Sequence, residues 1–403
     1  SWSWLLLLPM LLPVLDLAPY AGRLLLDEFD LLILLTLGLG YWRYMSQPPA
    51  PWANGSYRSA AILLLSGVIA TGLGLRPLLD GAPASLASSH SALEGLLVGK
   101  GLFWALLLIP LLRRIPAEEL AHARQSLIVG LAAGLTLLGI MVAWERHRFV
   151  GLGDFDGIFR VTANFSSMNK GGAYIEAFIA ISFPALVVWT LQQRNLLLRL
   201  GGTAAVALAS YAMFVTYSYG GYAGLAVGLT IVALTLWRST GRRRIHQGLW
   251  FAGVTLATAA AATPVLLGSF AQGRVAQAEK DLALRLDHWQ HAIGLMDPGI
   301  LPTLTGMGFG RYPALYLWHS DSARMPGNFT LERELDKTFL RLGAGEAFYL
   351  DQIVHADRSD LDTVEARVRF HGAQQHLKVL LCEKALLYSF ECVWNQLEPE
   401  RPA

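Results

Sequence analysis

About nine apolar stretches, each near the length that one membrane crossing requires, fill the first 270 residues of this chain. They centre on residues 4–19, 29–45, 59–76, 99–112, 125–144, 171–191, 199–218, 221–237 and 249–268. A helix that is apolar all round must be covered by lipid or by a large core, and short polar loops between so many of them leave lipid as the solvent. The sequence therefore predicts a polytopic α-helical membrane protein. Composition agrees: 54% of the 403 residues are hydrophobic and 15% are charged, against about 25% charged in soluble domains. The first run, Leu5 to Val14, lacks a basic flank and a small-residue cleavage site, so it reads as a membrane helix and not a signal peptide. Pro9 and Pro184 fall inside apolar runs, where neighbouring helices can satisfy the freed backbone groups.

Loop charges give an orientation. Arg43 and Arg58, then Arg113, Arg114 and Arg124, then Arg194 and Arg199, then Arg238, Arg242, Arg243 and Arg244 fall in alternate loops. The intervening loops begin acidic or mixed, with Asp16, Asp27, Glu28 and Asp30, then Asp80 and Glu94. Positive charge stays on the cytoplasmic side. The expectation is a bacterial inner-membrane protein with a cytoplasmic amino terminus and a periplasmic segment after residue 268. Residues 145–170 break the pattern, carrying Glu145, Arg146, His147, Arg148, Arg160 and Lys170 on the translocated side. Two readings stand side by side: arginines snorkelling to the interface, or an anion site, since Arg holds phosphate in a two-pronged grip. The chain has no basic arm or RNA-binding motif, which argues against nucleic acid as a partner.

Beyond residue 270 the composition changes. The predicted organisation is a transmembrane domain over 1–270, a periplasmic amphipathic helix and loop over 271–327, and a periplasmic all-β domain over 328–403. Val275, Leu282, Leu286, Trp289 and Ile293 recur at helical spacing, and Asp297-Pro298-Gly299 ends that helix. Val364, Ala366, Val368 and Phe370 alternate with polar residues, as do Leu377, Val379 and Leu381, then Tyr388, Phe390, Cys392 and Trp394. These runs predict a β-sandwich-like domain. Such domains outside the membrane often bind carbohydrate, although a fold alone does not establish a function. A hairpin centred near Leu387 would set Cys382 against Cys392; the pair is either a disulfide, which an oxidising compartment allows, or two buried thiols.

Three stretches fall on the proposed outer boundary: Arg160 to Gly172, containing Asn164, Asn169 and Lys170; Thr216 to Tyr222, containing Tyr219; and Arg285 to His291, containing Trp289, followed by Gly306-Met-Gly308-Phe-Gly310-Arg311. Arginine, lysine, asparagine and tyrosine at that level can hold a pyrophosphate while its lipid tail stays in the bilayer. Each stretch also has a plain structural reading. Gly220-Gly221 permits a tight turn, and the Gly-x-Gly-x-Gly run lacks the strand and helix of a dinucleotide site. His288 and His291 lie three apart on one helix, but no Cys or carboxylate completes a ligand set, so no metal is expected.

On these residues the chain resembles the O-antigen ligase and O-antigen polymerase superfamily. The likeness covers residues 120–315 best. The family's Arg, Phe, Asn outer loop is matched by Arg160, Phe165 and Asn169, and its Ser-Arg-Gly turn by Ser218-Tyr219-Gly220. Its Arg-x-x-x-Trp helix followed by Pro and Gly-x-Gly is matched by Arg285, Trp289, Pro302, Gly306, Gly308 and Gly310. Tyr219 stands where the family has Arg. The resemblance implies a GT-C-like helical domain that transfers a glycan from undecaprenyl diphosphate to an acceptor hydroxyl at the periplasmic face. The acceptor would be another glycan, lipid A–core or a protein, in contact with membrane lipids and with no cofactor. Arg160 and Arg285 would stabilise the leaving diphosphate, with Asn164, Asn169, Lys170, Tyr219, Trp289, Arg311 and His319 binding substrate. His319 lies in the region of the family's general-base His but lacks its following helices. The Ser1 start and the lack of an apolar run after residue 268 imply a fragment that omits that base. Two alternatives belong to other classes: a transporter or flippase of lipid-linked sugars, whose binding groups would sit at the bilayer midplane, and a non-catalytic glycan-binding membrane protein.

Overall fold

The computed structural model describes residues 3–15, 25–44, 56–81, 91–157, 159–165, 173–238, 242–319, 328–334, 337–343, 363, 365–370, 377–385 and 388–397. In chain order the helices are α1 (Ser3–Leu11), α2 (Glu28–Tyr44), α3 (Ser56–Leu79), α4 (Glu94–Leu112), α5 (Leu120–Phe149, entered through a 3-10 turn at Ala117–Glu119), α6 (Ala173–Gln192), α7 (Leu196–Phe214), α8 (Tyr219–Arg238), α9 (Arg242–Leu267), α10 (Ser269–Ala276), α11 (Ala278–Gly294), α12 (Ile300–Thr305) and α13 (Tyr312–His319). Four strands follow: β1 (Asn328–Glu334), β2 (Lys337–Gly343), β3 (Leu377–Ala385) and β4 (Tyr388–Leu397). Among the described residues seven helices, α3 through α9, are long and apolar enough to cross a membrane. The chain is a polytopic helical membrane protein. Among the described residues α1 and α2 reach only 9 and 17 residues, which is why seven spans stand where about nine were expected.

The chain forms two compact units, one of Ser1–Leu17, Leu26–Gln47 and Arg114–Ala283, the other of Ala18–Leu25, Pro48–Arg113 and Leu284–Ala403. In the first unit α6 lies against α5, α7 and α8, and α7 against α9. Leu135, Leu138, Val142, Ile175, Ile179, Phe183 and Met213 form the dry centre. Between membrane helices the attraction comes from close packing, which favours small residues at the contact. Gly130 and Gly134 on α5 make that contact with α1: a Cβ at either would fall 2.4 Å from the Leu6 or Pro9 carbonyl oxygen. Gly221, Gly224 and Gly228 present the same kind of stripe from α8 to α6. Ser210 on α7 donates to Thr258 on α9 at 3.1 Å, and Arg199 of α7 meets His246 of α9 at 2.7 Å. Ile181 and Leu256, both 71% exposed, face outward as lipid-facing residues do. The start of α2 is fixed by a reciprocal cap, in which the Asp30 amide donates to the Asp27 carboxylate and the Asp27 amide to that of Asp30.

The second unit contains the α3–α4 pair and most of the extramembrane chain. The single amphipathic helix expected over 272–297 is two helices. They meet at Gln277, whose amide still reaches the Gly273 and Arg274 carbonyls, so a 3-10-like step breaks the helix without a Gly or Pro. Among the described residues the β region shows two antiparallel hairpins, β1–β2 and β3–β4. The alternating run at Val364 to Phe370 forms no strand over 365–370, and its residues 365–369 are exposed; Arg369 instead reaches Glu334 at 3.6 Å. Alternation makes a strand only where another edge offers hydrogen bonds, and among the described residues none is paired to it. In the second hairpin Cys382 stands opposite Cys392, and Cys392 is disulfide-bonded.

Candidate functional site

One end of the first unit gathers buried charged and polar residues. Its foundation is the last turn of α5, where Glu145 and Arg146 are both almost wholly buried. The Glu145 carboxylate accepts the amides of Thr162 at 2.9 Å and Ala163 at 2.8 Å, one on each oxygen. Those amides belong to a turn with Ala163 at φ +48°, so the carboxylate binds the loop as an anion binds a concave run of N–H groups. Arg146 points the other way. It donates to the Gly151 and Asp154 carbonyls and lies over the Phe155 ring, 5.5 Å from its centroid. Its guanidinium is thus engaged in closing residues 150–155 onto the bundle.

The folded loop delivers Arg160 to the turn between α7 and α8. Arg160 Nε donates to the Thr216 carbonyl at 2.9 Å, which joins two of the three sequence-predicted stretches. Asn164 is buried beside them and donates to the Val14 carbonyl at 3.4 Å. In the turn, Tyr217 holds φ +53° and its ring meets Phe270 edge-on, 4.7 Å between centroids. Burial raises the Tyr217 phenol above its ordinary value, and the Arg146 charge pulls it part of the way back. Tyr219 is partly exposed, and Arg274 of α10 lies 5.8 Å over its ring while pairing with Asp281 at 3.6 Å. Tyr222 bonds the Phe214 carbonyl at 2.7 Å. The loop is tied to α10 as well: the Ser269 amide donates to Asp156 at 3.0 Å and holds that carboxyl below its ordinary value.

The second unit holds the third stretch. Arg285 and Trp289 are exposed on α11. His288 Nε2 lies 3.3 Å from the Tyr312 hydroxyl, and His291 meets the Tyr316 ring at 5.4 Å, so the two histidines dock α11 on α13. The Gly-x-Gly-x-Gly run is a hook. Phe309 N donates to the Ala70 carbonyl of α3 at 2.8 Å, and Cβ atoms at Gly308 and Gly310 would fall 2.3 Å from Gly74 N and 2.5 Å from Glu94. These glycines, both at positive φ, let the backbone enter between α3 and α4. Arg311 follows the hook, half-buried, and His319 closes α13.

Of the residues singled out from sequence, Arg160, Asn164 and Tyr219 therefore come together in the first unit, and Arg285, Trp289, Arg311 and His319 belong to the second. Asn169 and Lys170 lie outside the described residues. Sequence reasoning passed over Arg274, whose only signal was a position one helix after the last span. It also passed over Glu176, the lone acid in the first turn of α6, whose Cβ lies beside Gly221. Comparison with models of known protein families, with curated proteins and with solved structures gives no match to this chain.

Proposed function

We propose that this chain is a membrane glycosyltransferase acting on a glycan linked to undecaprenyl diphosphate, with an acceptor hydroxyl at the periplasmic face. The observation that carries the reading is the Arg160–Thr216 bond. It places a cation from the first motif stretch against the aromatic turn of the second, with Arg274 over Tyr219 beside it. A leaving diphosphate needs fixed positive partners that strengthen as its charge develops. In this reading Arg160 fills that role, and Asn164, Asn169, Lys170 and Tyr219 orient sugar and phosphate. The resemblance to O-antigen ligases and polymerases supports the same assignment. So does the location of the buried charges: Glu145 and Arg146 lie at the end of α5, whereas a transporter would need its polar groups near mid-membrane. On this account α1 and α2 complete nine spans in a GT-C-like domain of the inner membrane, the amino terminus is cytoplasmic, and the β region is periplasmic.

Binding of a polyprenyl diphosphate to the whole chain in nanodiscs tests this without requiring turnover. Arg160→Ala should weaken binding about 10- to 100-fold, the worth of a charge-assisted hydrogen bond. The polyprenyl alcohol, which lacks phosphate, should bind weakly and be indifferent to the substitution. Equal diphosphate affinity for the two chains would sink the assignment.

A further inference from the structure

We propose that α11 is an interfacial helix, lying along the bilayer surface with Leu282, Leu286, Trp289 and Ile293 seated in lipid. The inference does not rest on the transferase reading. Four observations carry it. First, these residues form one stripe, and each is 46–66% exposed; no residue of α11 is buried. Second, the contacts that α11 makes with α13 lie on the opposite side. His288 and His291, which meet Tyr312 and Tyr316, lie about half a turn around the helix from the apolar stripe. The contact with α13 therefore leaves Leu286 and Trp289 on the side away from α13.

Third, the segment is tethered to spanning helices at both ends. It follows α9 through Gly268 and α10, and it ends in the hook whose Phe309 bonds Ala70 between α3 and α4. Phe309 reaches Gly99, more than one turn inside α4. Each end of the segment is thus joined to a spanning helix within its own unit. Fourth, the side chains suit that level. Trp289 presents an amphipathic ring of the kind enriched at headgroup depth, and Arg285 borders the stripe, where its stem can cover apolar surface while its charge meets phosphate. Ile300, Leu301 and Leu304 on α12 continue the exposed apolar surface. An amphipathic helix of this kind sinks its apolar face about 5–10 Å into the headgroup and acyl boundary.

The test is spin labelling of the full chain in phosphatidylethanolamine–phosphatidylglycerol vesicles. Single cysteines are placed at Leu282, Leu286, Trp289 and Ile293, and at Lys280 and Asp287 on the polar side. The expected result is high collision with oxygen and low collision with a water-soluble nickel chelate at the first four, the reverse at the other two, and immersion depths of about 5–10 Å. High nickel accessibility at the stripe would overturn the proposal by showing that it faces water. Low accessibility to both reagents would overturn it equally, since a second copy or another protein would then cover the stripe. Labelling the unsubstituted chain with a lipid-dissolved carbene, read by mass spectrometry, gives the same decision without a variant: adducts on the peptide holding Leu286 and Trp289 are expected, and their absence counts against lipid contact.

Discussion

Ala163 donates its amide to the Glu145 carboxylate at 2.8 Å while holding a left-handed φ of +48°. A non-glycine residue in that region costs about 1–2 kcal/mol. The two charge-assisted bonds from Thr162 and Ala163 offset that cost, since each exceeds a neutral hydrogen bond in strength. The strained turn is what lets residues 160–164 fold back over α5, carrying Arg160 to Thr216. Glu145 is thus a positioning residue for the loop, reaching it from the helix below.

Truncating that carboxylate has a graded outcome. Glu145→Ala leaves two buried amides without an acceptor and should destabilise the protein by about 3 kcal/mol; Glu145→Gln keeps one acceptor oxygen and should cost about 1–2 kcal/mol. Thermal unfolding in detergent, followed by helical signal, measures the order. Equal stability of the alanine and glutamine variants would show that the amide bonds are not what holds the turn.

The hook between α3 and α4 separates steric from conformational cost. Gly306, at φ +70°, has open space around it, whereas a Cβ at Gly308, at φ +102°, would lie 2.3 Å from Gly74 N. Gly306→Ala should lose about 1–2 kcal/mol from backbone strain alone. Gly308→Ala meets backbone that cannot move aside, so it should also unseat Phe309. Limited proteolysis across residues 295–319 is the readout. Strong new cleavage in the Gly308 variant and little in the Gly306 variant is expected; the same pattern in both would mean that Phe309 does not anchor the segment.

Much of the helical architecture is legible in the sequence because an apolar run of span length has few alternatives to a membrane helix. The pairing of Cys382 with Cys392 is legible too, because strand alternation on both sides of a short turn sets the register. Other features depend on partners distant in the chain. Glu145 read as one more loop charge, since the amides it binds come 17 and 18 residues later. Gly130-x-x-x-Gly134 is visible as a close-packing motif, but nothing local says that its partner is α1. The step at Gln277 left no trace because Val275 and Leu282, seven residues apart, keep helical phase across it. The glycine run at 306–310 carried a nucleotide-like spelling, and only the surrounding helices show that its glycines accommodate helix backbone.

Reduction should loosen the second hairpin selectively. A two-stranded hairpin is marginal alone, and a disulfide closing a short loop contributes about 2–4 kcal/mol by restricting the unfolded chain. With Cys392 bonded and the apolar Val393 and Trp394 exposed, β3–β4 has little else described to hold it. Proteolysis with and without reductant is the measurement: cleavage within 377–397 should rise on reduction while the α5–α9 bundle stays intact. A hairpin equally resistant in both states would place its stability elsewhere.

Alkaline pH addresses the aromatic turn. Burial raises the Tyr217 phenol above its unfolded value near 10, and Arg146 opposes only part of that shift. A raised value means that the folded protein holds the proton more tightly than the unfolded chain does. The associated stability is fully present below about pH 10 and is lost as pH climbs through the folded value. Tyr217→Phe removes the titrating group but keeps the ring that meets Phe270. Melting curves of both proteins from pH 8 to 11 should run parallel up to about pH 10; above that the parent should fall away while the phenylalanine variant falls less. Because every other tyrosine is common to both chains, the difference isolates this one hydroxyl. Parallel curves through the whole range would show that Tyr217 ionises as freely in the folded turn as in the unfolded chain, and the burial of its hydroxyl beside Arg146 would have to be abandoned.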